Sequence, residues 1–332
     1  MREPGRAAVE EVAEPVMKPG EALLKVRRVG MCGSDLNSFR GKNPMVSFPR
    51  IPGHEVAATI VELSEPHPHF TAGMDVTLSP YTSCGQCPAC DSGRVNSCQG
   101  NRTLGVQRDG AMTEYISVPV EKLYSAQLNL EELCLVEPLT VGFHAVARAR
   151  VTAHDTVAIF GCGGVGLGAV AASAFRGAKT IAIDVDDRKL AVACRAGAAH
   201  AIHSQRTSLP EEFKSLTNGR GPDVVIEAVG MAETFRAAVE EVAYTGRVVY
   251  IGYAKEPVTY ETKFFVQKEL DIMGSRNALP ENFREVIQML AQKRFPVNEV
   301  VSSIVPLEQA PEILKEWSAN PGNFTKIMIT LD

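Results

Sequence analysis

No stretch of this chain reaches the roughly 18 consecutive apolar residues that a bilayer crossing needs, and its opening, MREPGRAAVEE, has no apolar run of the kind that directs secretion. A membrane-spanning or secreted protein is therefore not expected, and a cytoplasmic location is. Basic runs are missing too. The 34 Lys and Arg stand against 39 Asp and Glu, for a net charge of −5. That leaves no electrostatic footprint for nucleic acid or an anionic membrane, so small-molecule partners are expected. Neither internal repeat nor low-complexity tract is visible. Without a secretory segment, the eight cysteines read as metal ligands or reduced thiols rather than disulfides. What remains is a chain of 332 residues, 45% hydrophobic, which exceeds one ordinary core and implies two domains.

From His154 the chain reads HDTVAIFGCGGVGLGAVAASAFRGAKTIAID. An apolar run at Val157 to Phe160 enters a glycine turn, a small-residue stretch ends at Gly177, and a second β-branched run stops at Asp184. This is strand, turn, helix, strand. Gly161, Gly163 and Gly166 have the dinucleotide-binding spacing, and Gly164 and Val165 complete the turn. The first glycine permits the sharp bend, the second lets backbone approach a pyrophosphate, and the third lets helix pack on strand. Backbone N–H groups at the helix start would face the phosphates. Such a pattern alone also serves packing, but its place between strand and helix, with an acid 18 residues past Gly166, points to a cofactor. Asp184 is expected to accept hydrogen bonds from the adenine-ribose hydroxyls and to repel a 2′-phosphate, which favours NAD over NADP. Arg188 is the nearby cation that would argue for NADP, and the plainer reading of Asp184 is a solvated strand-end acid.

Further strands are predicted at Val9 to Glu14, Glu21 to Val29, Ala199 to His203, Asp223 to Glu227, Arg247 to Ile251 and Leu270 to Gly274, and Arg108 to Tyr115, continued to Val120, is a return strand implied by the family resemblance described below. Helices are predicted at Leu133 to Arg150, Arg188 to Arg195, Leu209 to Thr217, Ala232 to Val242 and Glu281 to Lys293. The rear half then forms six parallel strands in a doubly wound α/β sheet. Ligands bind at the carboxyl ends of strands in such sheets, which places Ala228 to Gly230 and Ile251 to Tyr253 beside the nicotinamide half.

Two constellations carry metal chemistry. Cys32 lies in a loop after a strand, and Pro52-Gly-His-Glu55 puts His54 and Glu55 at the start of the next. Sulfur, imidazole and carboxylate match the three protein ligands of a catalytic zinc with a position left open. Taken singly, each is ordinary. The second constellation is Cys84, Cys87, Cys90 and Cys98 in a Gly- and Pro-containing loop. Four thiolates so close in sequence can close a tetrahedron on one structural zinc. His67 and His69, among prolines, read as surface residues.

Together GMCGSD (30–35), PGHE (52–55), the four-cysteine lobe, Val136-Glu-Pro-Leu139 and GCGGVG (161–166) resemble the zinc-containing medium-chain alcohol dehydrogenases end to end. Glutamate after the PGH histidine and Glu-Pro at 137–138 resemble the sorbitol, threonine and sugar-acid dehydrogenase branch. The resemblance implies a GroES-like, mostly-β catalytic domain at 1–139 with a structural zinc lobe at about 84–98. It also implies a Rossmann domain at 140–272, a return to the catalytic domain at 273–332, and a homodimer or homotetramer. Carried over by residue, Cys32, His54 and Glu55 would hold the catalytic zinc, and Glu137 would ligate it directly or through water. Otherwise Glu137 is a buried acid at a helix start, with Pro138 in the first turn. Asp35 would accept the outer N–H of His54, Ser34 would start proton removal from an alcohol, and Arg276 would reach the cofactor phosphate or the Asp35 region. Asn37 stands where relatives have a relay histidine, and it cannot titrate near neutrality. The implied activity is hydride transfer from a secondary hydroxyl of a polyol, sugar or sugar acid to NAD. L-threonine or a simple secondary alcohol is the second choice, and a zinc-stabilised NAD-binding sensor or scaffold the non-enzymatic one. Arg40, Lys42 and Arg50 could hold a sugar-acid carboxylate or phosphate near the mouth, and their plainer reading is a solvated rim.

Overall fold

Along the first strand, β1 (Glu21–Met31), Ala22, Leu24 and Val26 alternate inward. A bulge between Val26 and Arg28 then resets the alternation, so that Val29 is buried as well. The structure is a computed structural model and describes residues 1–332. It divides into two units, one of Met1–Glu137 with Val297–Asp332 and one of Pro138–Pro296. In the first, β1 pairs antiparallel with β2 (Glu55–Leu63), which continues through β3 (Asp75–Leu78) to β5 (Leu123–Ser125), while β4 (Tyr115–Pro119) takes part of the other edge of β1. The face built from Leu24, Val26, Val56, Ile60, Leu78, Ile116 and Leu123 is the core of this unit. Each fully buried side chain of this kind contributes ~1.5–3 kcal/mol.

The second unit is the predicted doubly wound sheet. Strands β6 (Thr156–Phe160), β7 (Lys179–Asp184), β8 (His200–His203), β9 (Val224–Glu227), β10 (Arg247–Tyr250) and β11 (Asp271–Gly274) are all parallel, in the order β11-β10-β9-β6-β7-β8. Strand order reverses at β6, whose neighbours are β7 and β9. The crevice for a ligand in such sheets lies at that point, outside the carboxyl ends. Helices cover the sheet, and Phe160, Ile181, Ile202, Phe213, Val225 and Val248 fill one side of it. After residue 296 the chain returns to the first unit as β12 (Val301–Pro306) and β13 (Lys326–Thr330). The latter pairs antiparallel with β1 and places Ile327 opposite Met31. Between them the helix Ala310–Ala319 packs Leu314 and Trp317 against Met31, Leu36 and Phe39.

Several boundaries depart from the sequence-based expectation. Val9 to Glu14 is not a strand, and Val9 and Val12 are exposed. The first strand, β1, is already paired on both edges, by β2 on one and by β4 and β13 on the other. Strand β4 begins only at Tyr115, because residues 110–112 bond to 51–53 instead: Gly110 N to Ile51 O at 2.8 Å, Met112 N to Pro52 O at 3.0 Å and Ala111 N to Gly53 O at 2.9 Å. Pro138 lies inside the helix Leu130–Arg148, not in its first turn. There it removes the N–H that would serve the carbonyl four residues earlier. The units meet at Glu137 and Pro138 rather than at 139, and residues 273–296 stay with the second unit. The helix Pro280–Ala291 is held there by His144 Nδ1 to Asn282 Oδ1 at 3.1 Å and Arg176 to Glu285 at 2.9 Å.

Candidate metal centres and nucleotide site

Cys32 is the residue at which β1 turns into a seven-residue helix, Gly33–Phe39. Asp35, in the first turn of that helix, accepts the Cys32 N–H at 2.9 Å, an N-terminal cap that fixes the cysteine backbone. His54 is held by the Pro52-Gly53 turn. Gly53 has φ +100°, and a Cβ on it would lie 2.7 Å from Val29 and 3.1 Å from the Met112 amide. Only glycine permits that bend at that spacing. These elements bring one donor atom each from Cys32, His54 and Glu55 to within 4.8 Å of one another, with His54 and Glu55 buried.

The electrostatics of this cluster favour a cation. Burial opposes a charged His54, but the Asp35 carboxylate, Cys32 and Glu137 outweigh it and hold the imidazole pKa well above its usual value. Burial pushes Asp35 and Glu137 upward. A buried pocket lined by carboxylates and a thiol, with His54 Nδ1 lacking any hydrogen-bond partner, fits a divalent ion with sulfur and imidazole ligands. The hydrogen bond expected between Asp35 and His54 is not formed. Asp35 acts on the ring through its charge while it caps the helix. Ser34 Oγ is buried without a partner, and Asn37 is exposed.

Glu137 stands outside the converging trio. It is buried and accepts a hydrogen bond from the Tyr81 hydroxyl, whose pKa burial and the adjoining carboxylate drive well upward. Tyr81 carries no sequence signal, being one aromatic three residues ahead of Cys84. The second unforeseen residue is Lys326, whose Nζ donates to Glu55 Oε1 and Oε2 at 2.7 Å each and to the Met31 carbonyl at 3.2 Å. A lysine among the apolar residues of a closing strand, KIMIT, was the available hint.

The four-cysteine lobe closes as its spacing suggests. All four sulfurs lie within 4.8 Å of one another. Cys87 Sγ is 3.6 Å from Cys90 Sγ and 3.9 Å from Cys98 Sγ. Those separations bracket the ~3.8 Å edge of a sulfur tetrahedron on zinc with bonds of about 2.3 Å. Amide donors prepare the charge: Cys98 Sγ accepts from Cys84 N at 3.2 Å and Gly100 N at 3.3 Å. Hydrogen bonds from the Gln99 and Cys90 backbone pull the Cys87 thiol down to about 6.

In the second unit the glycine turn joins β6 to the helix Gly164–Phe175. Gly161 has φ +91°, and a Cβ there would lie 2.8 Å from Val229 and 3.3 Å from the Ala228 carbonyl. A Cβ on Gly166 would overlap the Gly161 carbonyl, whereas one on Gly163 would meet nothing within 4 Å. Two of the three glycines are therefore packed, and the middle one borders open space at a helix N-terminus, with Val165 in the first turn. Ala228, Gly230 and Ile251 gather at the neighbouring strand ends. Glu227 Oε1 holds the Val229 and Gly230 amides at 2.8 and 2.7 Å, and Ile251 N bonds Glu227 O at 2.9 Å. Asp184, at the end of β7, already accepts three amides, from Cys162 and Val185 at 2.7 Å each and Asp186 at 3.1 Å. A carboxylate has about four acceptor sites, so Asp184 shapes the turn and keeps little capacity beyond that. Arg188 is turned to Asp186 at 3.1 Å, and Arg276 is exposed beyond the edge strand β11. In the first unit, Arg40 bonds Ser318 and Arg50 bonds Asp109 at 3.0 Å. No helix is long and apolar enough to cross a membrane.

Comparison with known proteins matches residues 18–127 to the alcohol dehydrogenase GroES-like domain and residues 164–292 to the zinc-binding dehydrogenase domain. An L-galactonate-5-dehydrogenase of Escherichia coli (strain K12) is 32% identical over 95% of this chain and 93% of its own. A sorbitol dehydrogenase of Bacillus subtilis (strain 168) is 32% identical over 97% and 93%. Among solved structures, an Escherichia coli CFT073 alcohol dehydrogenase complexed with NADH superposes with a TM-score of 0.91 at 27% identity, covering 99% of this chain and 97% of its own.

Proposed function

The chain belongs to the zinc-containing medium-chain alcohol dehydrogenase family, in its polyol and sugar-acid branch, and from that premise we propose that it oxidises a secondary hydroxyl of a polyol, sugar or sugar acid with NAD as hydride acceptor. The observation that carries the reading is the convergence of Cys32, His54 and Glu55, with a buried, unpartnered Ser34 hydroxyl two residues past Cys32. Cys32 and His54 would hold the zinc, with Glu55 as the third protein group and Glu137 bound to Tyr81 behind them. Zinc there would lower the pKa of a bound hydroxyl, and the nicotinamide would take the hydride.

The remaining work falls to this chain's own groups. Ser34 Oγ has free donor and acceptor capacity in a buried site, so it can accept the substrate proton and pass it on. Asn37 cannot carry that proton further, which leaves water or a cofactor hydroxyl as the exit. In the second unit, the amides following Gly163 would take the diphosphate. Asp184, held by three backbone amides and left with about one acceptor position, would stand at the ribose, where its charge would disfavour a 2′-phosphate. The Cys84, Cys87, Cys90 and Cys98 lobe would hold a second, closed zinc that stabilises the fold. The reading includes a cytoplasmic location and a homodimer or homotetramer, both resting on family membership.

Purified protein is expected to carry two zincs per chain and to reduce NAD in preference to NADP with one or more of sorbitol, galactitol, erythritol, L-galactonate, L-threonine and butane-2,3-diol. Cys32→Ser should abolish turnover with the melting temperature retained. No reduction with any of these alcohols, or full activity in Cys32→Ser, would overturn the reading.

A further inference from the structure

Glu227, the last residue of β9, is fully buried, and all the donors it meets fall on one of its two side-chain oxygens. Oε1 accepts the Val229 amide at 2.8 Å, the Gly230 amide at 2.7 Å and the Thr234 hydroxyl at 2.8 Å, while Oε2 is buried without a partner. The backbone carbonyl of the same residue accepts Ile251 N at 2.9 Å and Gly252 N at 3.2 Å. One residue therefore ties together the turn that follows β9 and the turn that follows β10. The two turns also touch. Gly230 has φ +84°, and a Cβ on it would lie 2.9 Å from the Tyr253 carbonyl oxygen; a Cβ on Gly252 would lie 2.4 Å from Glu227 Oε2 and 2.5 Å from the Gly230 nitrogen. Both turns leave the carboxyl ends of adjacent strands on one side of β6, the edge of a doubly wound sheet at which ligands bind. An orphaned buried oxygen is uncommon in a native fold, and departures of this kind concentrate where function offsets their cost.

We propose that Glu227 is a positioning residue for the nicotinamide half of the cofactor: it fixes the 228–230 and 251–253 turns against each other before the dinucleotide arrives, so that binding does not have to order them. Preorganisation of this kind raises affinity by removing an entropic cost of association. The diphosphate draws on a different turn, the amides following Gly163, and does not depend on Glu227. The inference rests on the nucleotide site proposed above.

The experiment compares NADH with ADP-ribose, which lacks the nicotinamide, as ligands of the full-length protein in titration calorimetry. Glu227→Met removes the acceptor at similar size and should weaken NADH about 5- to 150-fold, the affinity equivalent of one buried donor left unpaired, with ADP-ribose unchanged within about twofold. Glu227→Gln keeps an acceptor for all three donors and should restore NADH binding. Gly252→Ala, which forces the turns apart with every donor and acceptor in place, should reproduce the selective loss. Should the Met variant fail to fold, Thr234→Val removes one of the three donors and is expected to weaken NADH, and not ADP-ribose, by a smaller factor; an unchanged ratio of the two affinities there overturns the proposal. NADH binding within twofold of the unmodified protein in the folded Met variant or in Gly252→Ala also overturns it. So does equal weakening of both ligands, which marks a general loss of structure, or a Gln variant as weak as the Met variant. Binding of neither ligand by the unmodified protein refutes the nucleotide site itself, whereas normal binding indifferent to residue 227 overturns only the positioning role.

Discussion

Replacing Gly30 by alanine tests the arrangement around Glu55 without touching a charged residue. The new methyl would overlap Glu55 Oε2 and lie 3.0 and 3.1 Å from its Cβ and Cδ, so the carboxylate must move. A retreat of about 1 Å carries the 2.7 Å bond to Lys326 past the ~3.2 Å limit of good N–H···O geometry. One hydrogen bond to a charged partner is worth about 1.5–3 kcal/mol, and breaking the buried pair completely costs about 3–5 kcal/mol because both charges stay buried. The expected loss is therefore about 2–4 kcal/mol. In a unit of this size that lowers the melting temperature by roughly 4–16 °C at about 2–4 °C per kcal/mol. Gly33→Ala is the matched control in the same motif. A Cβ there meets nothing within 4 Å, and its position in a first helical turn makes a change within about 0.5 kcal/mol or a slight gain the expectation. Urea unfolding of both variants, with Gly30→Ala repeated in a Glu55→Ala background where the overlap with the carboxylate disappears and only the 3.0 Å approach to Cβ remains, measures the coupling. A Gly30→Ala protein as stable as the unmodified chain, or one equally destabilised without the Glu55 carboxylate, would refute the reasoning.

Cys98→Ser removes the fully buried sulfur that accepts two amides. Metal analysis should find one zinc fewer per chain and a protein that unfolds at lower temperature; unchanged zinc and melting would contradict a structural site. Glu227 is fully buried, with Oε1 bonded to two amides and the Thr234 hydroxyl while Oε2 has no partner, and burial raises its pKa above 4.5. The folded chain therefore keeps this proton where the unfolded chain has lost it. The stability tied to it is complete below the unfolded value and is lost as pH rises through the folded one. Glu227→Gln should remove that slope, and its stability relative to the unmodified protein should increase as pH rises above the ordinary carboxylate range; a difference that does not vary with pH would count against it.

Much of the molecule was legible because the relevant groups are neighbours in sequence. Four cysteines inside one loop can reach a common ion whatever surrounds them, and Gly161, Gly163 and Gly166 set a turn through their own backbone and the two strands beside it. Six parallel strands follow from apolar runs separated by helical spacing, and Cys32, His54 and Glu55 sit at strand ends that the pattern locates to within a residue or two. Val9 to Glu14 misled because a short run becomes a strand only where a sheet edge pairs with it, and here Val9 and Val12 are exposed. Pro138 misled because a proline is acceptable at the start of a helix and not diagnostic of one.

The tertiary structure decided what those groups are joined to. Lys326 meets Glu55 across 271 residues because sheet register sets β13 beside β1 and Gly30 clears the path, and Tyr81 meets Glu137 across 56. Asp184 proved to be held by three backbone amides, a use set by the turn around it rather than by its position at a strand end. Local composition determines which chemistry a side chain can perform; its partners are set by strand order and register, which no spacing along the chain encodes.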